Sequence, residues 1–234
     1  MGNIFVDIGA HVGESIEIAI NKSYGFDKLL AVEPSSYGVT KLKKYKDRRI
    51  QIFHFGVGSD NRKTTLFAAG SVGASIYEDK PPNWQLNEII RIQRFSEWYN
   101  GNINSEDKVW LKINVEGSEN EILRELRYVP VKNIRSILIS FDVDKVPSLR
   151  GEKSYLIKLL REELRIPYVE RSNDMNVNSW LNTFSDLHSD TNFYTKTIAF
   201  LGLNLPFLRN LRRITKLITP KKLWLFVAKS FGPN

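Results

Sequence analysis

Three short strings in this 234-residue chain carry residue types that could do chemistry. The first is Phe5-Val6-Asp7-Ile8-Gly9-Ala10-His11-Val12-Gly13-Glu14, with an acid and two glycines at the end of an apolar run. The second is Val32-Glu33-Pro34. The third is Leu111-Lys112-Ile113-Asn114-Val115-Glu116-Gly117-Ser118-Glu119. Gly9 lets the chain turn tightly after a strand, and Gly13 lets the next helix pack close or admit a ligand. The spacing departs from the dinucleotide fingerprint, because the glycines are four apart and His11 stands at the middle-glycine position. A pyrophosphate wants several bare backbone N–H groups, whereas a loop with Asp7 at its entrance suits a cation. Glu33, closing the next apolar run, can accept hydrogen bonds from ribose hydroxyls. An adenosine ligand with a positively charged amino-acid tail satisfies both acids, and S-adenosylmethionine is such a ligand.

With a methyl donor in that loop, the third string becomes the place of transfer. Methyl transfer to an alcohol needs in-line approach and a route for the hydroxyl proton. In an extended segment Lys112, Asn114 and Glu116 share one side. Glu116 is the expected base, Asn114 orients the acceptor hydroxyl or the donor's tail, and Lys112 pairs with Glu116. The competing reading makes Glu116 a carboxylate that only favours the dipole of a helix begun by Ser118-Glu119. Asp142 and Asp144 could hold a hard cation together with Glu116. Such acids more often cap the next loop, so a divalent cation is not the favoured reading. The three histidines are too scattered for a zinc site; His11 is expected to touch the ligand, and His54 to be packed or exposed on the sheet.

Positioning these strings requires a βαβ rhythm, and the chain has one. Strands are predicted at 4–6, 28–32, 50–55, 63–67, 89–95, 109–115 and 134–141. Helices fall at 12–21, 35–46, 118–126 and 155–164. Segments 168–171 and 195–201 are expected to close the sheet as an antiparallel pair. The result is an α/β fold: an open, mainly parallel sheet with an antiparallel C-terminal strand and helices on both faces. Ligands of such sheets sit at the carboxyl ends of the strands. The loop 70–84 is expected to be a lid, with Ser71, Ser75, Tyr77 and Trp84 as carbohydrate contacts, and 173–185 could form the opposite wall.

The net charge of +8 comes from 34 Lys+Arg against 26 Asp+Glu. Eight cations and no acid lie beyond residue 190, so residues 1–190 are formally neutral. That weakens a nucleic-acid-coating role. Residues 1–204 read as the catalytic domain. Residues 205–234 read as a basic amphipathic helical extension, carrying Leu208, Leu211, Trp224 and Phe226 against Arg209, Arg212, Arg213 and Lys216. That extension could pack on the domain or a second subunit, as in a homo-oligomer, or touch an anionic membrane or lipid-linked acceptor. No cysteine is present, which excludes thiolate metal sites and cysteine nucleophiles. The chain opens without a signal-like segment, and no apolar run is long enough to span a bilayer. A cytoplasmic location is expected, membrane-peripheral if the extension is what touches the bilayer.

The three strings together resemble the FkbM-like methyltransferases, over about residues 4–143. The resemblance implies a Rossmann-like fold of the class I methyltransferase type, S-adenosylmethionine as methyl donor, and O-methylation of a sugar hydroxyl in a glycan, glycolipid or polysaccharide precursor. It implies that Asp7, Gly9, Gly13 and Glu33 line the donor site, and that Gly58, Ser59 and Asp60 approach the adenine. Two departures stand out: Asn114 where the family has Asp, and Phe95-Ser96 where a Leu-Asp pair is common. Asn cannot act as a general base. The alternatives are therefore a non-catalytic glycan- or membrane-binding module that kept the fold, and a nucleic-acid methyltransferase. The latter is disfavoured because Pro81-Pro82 follows Lys80 rather than Asp or Asn.

Overall fold

A computed structural model describes residues 1–80 and 86–171. In chain order its elements are β1 (Asn3–Ile8), α1 (Glu14–Ala19), β2 (Lys28–Val32), α2 (Ser36–Leu42), β3 (Ile50–Phe53), β4 (Gly56–Gly58), β5 (Arg62–Leu66) and β6 (Glu88–Arg94). There follow α3 (Phe95–Asn102), β7 (Lys108–Ile113), α4 (Glu119–Glu125), β8 (Ile134–Ile139), α5 (Glu152–Lys158) and β9 (Tyr168–Glu170). A π-helical turn, Leu159–Leu164, extends α5.

Six strands form one sheet in the order β3-β2-β1-β7-β8-β9, every pair parallel. A parallel sheet needs helical cover on both faces, so its strands are apolar throughout rather than alternating. β1, β2 and β7 are buried from their second residue to their last. On one face Phe5, Leu29, Ala31, Trp110 and Leu138 pack with Ile16, Ala19 and Leu42 of α1 and α2. On the other, Val6, Ile8, Leu111 and Ile137 pack with Trp98, Ile122 and Leu156 of α3, α4 and α5. The strand order reverses between β1 and β7, and that is where open α/β sheets bind ligands.

The remaining strands form a second sheet, β4-β6-β5, in which β5 and β6 are antiparallel. Its inner residues Leu66, Ile90 and Ile92 make a separate small core with Ala69. Two expectations are corrected here. The strand predicted over 50–55 ends at Phe53, and β4, which follows from Gly56, belongs to the other sheet. β7 ends at Ile113, two residues early, so Asn114 to Glu116 are not extended sheet residues. β9 pairs directly and in parallel with β8. Segments 195–201 and 173–185, Trp84 and the 205–234 extension lie outside the described residues. Among the described residues no helix is long and apolar enough to cross a membrane.

Candidate active site

The carboxyl ends of β1, β2 and β7 meet at a cavity of ≈ 160 Å³, and the inner face of the small sheet supplies its apolar wall through Val57, Leu66, Ile90 and Ile92. Gly9, His11, Glu33, Lys112, Asn114 and Glu116 all line it. Sequence reasoning named these six from three separate strings, and the fold brings them together.

The loop after β1 is held by its own backbone. Gly9 and Ala10 donate N–H bonds to the Val32 carbonyl at 3.0 and 3.1 Å, and Gly13 N–H donates to Ala10 O at 2.8 Å. His11, itself in the left-handed region at φ 47°, donates its N–H to Glu33 Oε2 at 2.8 Å. Gly9 has φ +75°, and a Cβ there would lie 1.9 Å from the Asn114 carbonyl oxygen. Its small size is thus demanded by the close approach of the β7 exit. Gly9→Ala should destabilise the fold by at least about 3 kcal/mol in urea denaturation, from backbone strain plus overpacking. Gly13 does not line the cavity; it caps α1, and the Tyr45 hydroxyl donates to its carbonyl at 3.0 Å.

Glu33 is 5 % exposed and already well bound. Its Oε1 accepts from Ser35 N–H at 2.9 Å and Ser35 Oγ at 2.5 Å, while Ser35 Oγ in turn caps α2 by accepting from Gly38 N–H. A carboxylate oxygen offers two lone pairs, so Oε2 keeps one for a ligand hydroxyl, not the two hydrogen bonds expected.

Asp7 does not face the cavity. It is fully buried, and its Oδ1 lies 2.8 Å from Lys112 Nζ, its register partner on β7. Burial pushes the Asp7 carboxyl up, and the neighbouring Lys112 opposes that rise. Lys112 also donates to Gly9 O at 2.6 Å. The expected Lys112–Glu116 pair is therefore corrected. Lys112 is committed to β1, and Glu116 pairs instead with Lys80, Nζ to Oε2 at 2.6 Å. The reason is local: Glu116 has φ 55°, which turns its side chain off the strand's alternation.

Lys80 was missed because its loop showed no pattern, yet its side chain is 3 % exposed and reaches Gly73 O as well as Glu116. Ser71, Val72, Ala74 and Ile76 of the same loop line the cavity. Ser75, an expected carbohydrate contact, instead donates its Oγ to Glu116 O at 2.7 Å, and Tyr77 packs beside Gly117. Ser59 and Asp60 lie outside the cavity: Ser59 N–H bonds Glu121 Oε2 at 3.0 Å, and Asp60 pairs with Arg62. His54 is exposed, just past β3.

Asp142 is buried and Asp144 exposed, so the two acids do not converge. Asp142 accepts from Ser140 Oγ at 2.9 Å and pairs with Lys145. Among the described residues no group of three or more His, Asp or Glu side chains could hold a metal ion. Two buried polar atoms of cavity-lining residues have no hydrogen-bond partner among the described residues, His11 Nε2 and Asn114 Oδ1. Buried polar atoms are almost always satisfied, so orphans beside a cavity point to a ligand.

No family model matches the chain, and no curated protein matches it. Among solved structures the chain is similar to the methyltransferase FkbM from Methylobacillus flagellatus KT, at 19% identity and a TM-score of 0.43. The match covers 68% of this chain and 37% of that one, so the chain spans little more than a third of that protein. A likeness of this size carries no argument about activity, and function has to be read from the chain's own residues.

Proposed function

We propose that the chain is an S-adenosylmethionine-dependent methyltransferase that methylates a hydroxyl group. The observation that carries this reading is the chemistry of the β1 loop. The N–H groups of Gly9, Ala10, His11 and Gly13 are all engaged with carbonyls or with Glu33. A phosphate would find no donors among these four, whereas the dinucleotide alternative depends on them. Carboxylates line the same cavity, at Glu14, Glu33 and Glu116. Of the nearby cations, Lys112 and Lys80 are each paired with a carboxylate; Arg171 is the other lining cation. Such a site suits a ligand that is cationic and carries no phosphate.

The residues fit that donor. Glu33 Oε2 offers one acceptor site for a ribose hydroxyl, the Leu66–Ile90–Ile92 wall accommodates a purine face, and Asn114 Oδ1 can accept from an ammonium group. When bound, the donor supplies an electrophilic methyl group on a sulfonium. The cavity is smaller than the roughly 300–1,000 Å³ of typical ligand sites. The 70–80 loop must therefore move outward to admit it, breaking the Lys80–Glu116 contact. Glu116 then accepts the hydroxyl proton, and Asn114 orients the acceptor. A sugar hydroxyl as acceptor rests on the resemblance to the FkbM-like family. A membrane-peripheral site of action and a lipid-linked acceptor would follow from the basic 205–234 extension.

Calorimetry with the full chain is expected to give micromolar binding of S-adenosylmethionine, and no binding of a nicotinamide dinucleotide. Absence of heat at millimolar donor, or tight dinucleotide binding, would overturn the proposal.

A further inference from the structure

Glu119 was read in the sequence as nothing more than the start of a helix. It is the first residue of α4, with no exposed surface, directly behind the corner that carries Glu116. Its Oε1 accepts the Gly117 N–H at 3.1 Å, and its Oε2 is buried without a hydrogen-bond partner among the described residues. The charged or titratable groups around it are Glu116 on the same turn, Asp142 and Lys145 beyond β8, and Tyr77 from the loop over the cavity. Lys145 is already paired with Asp142, so among the described residues no ion pair holds Glu119. Burial pushes its carboxyl up to about 8, and Asp142 and Glu116 push the same way, against the Gly117 hydrogen bond. Burial therefore favours the neutral carboxylic acid over the carboxylate.

The corner needs holding. Glu116 lies in the left-handed region at φ 55°, which is disfavoured for any residue with a Cβ, and Gly117 follows at φ 116°. A Cβ on Gly117 would come within 2.6 Å of Val146 Cγ2. Such conformations persist only where surrounding contacts over-determine them. Two of those contacts come from the 70–80 loop: Ser75 to the Glu116 carbonyl, and Lys80 to the Glu116 carboxylate. The Glu119 bond does not. When the loop moves to admit ligand, it is the contact that stays.

We propose that Glu119 is a positioning residue, whose hydrogen bond from the Gly117 N–H keeps the Glu116–Gly117 corner, and hence the Glu116 carboxylate, in place while the overlying loop is open. This rests on Glu116 being the base of a methyltransferase. An un-ionised carboxyl suits the task because it accepts the N–H without setting a second negative charge against Glu116 in a site closed to water.

The test compares Glu119→Gln, which keeps an acceptor oxygen, with Glu119→Met, which fills the same space without one. Single-turnover transfer, donor affinity and amide exchange of Gly117 are measured in the full chain. Displacing a reacting group by about 1 Å costs on the order of 100-fold in rate, so Glu119→Met should lose about that much transfer with donor affinity unchanged. Its Gly117 amide should exchange about tenfold faster, as expected of a lost hydrogen bond worth about 1.4 kcal/mol. Glu119→Gln should restore both. Unchanged rate and exchange in Glu119→Met would overturn the proposal, as would a Gln variant no better than Met. A wild-type chain that binds no donor sinks the methyltransferase reading instead, while a chain with normal donor affinity and an indifferent Met variant sinks only the role of Glu119.

Discussion

Glu116→Gln is expected to lower methyl transfer by about 10²–10⁴-fold, the usual contribution of a general base. Donor affinity should stay within about threefold, because the change removes an interaction made only in the transition state. The substitution is nearly isosteric. A glutamine oxygen can still accept from Lys80, and the Ser75 bond goes to the Glu116 backbone carbonyl, so the corner survives. What disappears is the ability to take a proton. Lys80 bonds Oε2, so Oε1 is the oxygen proposed to meet the acceptor hydroxyl once the loop lifts. Asn114, the other polar group from β7, cannot substitute as a base. The measurement is single-turnover transfer from a labelled donor to a panel of sugar alcohols, beside calorimetry of donor binding. A variant that transfers at the wild-type rate would remove Glu116 from the base role and leave positioning as the source of catalysis. A wild-type chain that binds donor but transfers to no hydroxyl would favour a non-catalytic module.

Much of the main sheet was legible because parallel strands buried on both faces announce themselves as short apolar runs, as in Ile4–Val6, Leu29–Val32 and Ile137–Ile139. Side-chain partners were less legible, since they lie far apart in sequence. Lys80 and Glu116 are 36 residues apart, and nothing near Lys80 hints at a buried ammonium. Alternation placed Lys112 and Glu116 on one side, and it failed where the strand ended early and one residue entered the left-handed region. Gly9 was read as the residue of a tight turn, and the close approach of the Asn114 carbonyl, which also demands it, was not visible. Glu33 lines the cavity, but its occupied Oε1 depends on Ser35, which stands in the sequence only as the first residue of the helix predicted over 35–46. Glu119 illustrates the general difficulty. An acid at the first position of a helix is ordinarily a solvated dipole partner, and only the packing of β7, β8 and the loop around it makes it a buried acid.

Lys112→Met is expected to cost about 3–5 kcal/mol of stability, because it leaves the Asp7 carboxyl buried without its cation. That is a large share of the roughly 5–15 kcal/mol that holds a domain folded. Asp7 is fully buried and Lys112 nearly so, and Lys112 also donates to Gly9 O at 2.6 Å and Ile8 O at 3.4 Å. One ammonium thus joins the acid of β1 to the first turn of the loop after it. Asp7→Asn should be destabilising as well, leaving the ammonium with carbonyls alone. The double variant Asp7→Asn/Lys112→Met removes both charges and should recover about 2 kcal/mol or more relative to the sum of the single changes, the coupling expected of a buried pair. Urea denaturation of the four chains measures this directly. The same experiment separates the two roles that Lys112 has been given. If Lys112→Met keeps its stability and donor affinity but loses transfer, the ammonium acts in the reaction, as the sequence suggested. If stability falls and the double variant recovers it, Lys112 builds the loop that the donor sits on, and any loss of transfer follows from that.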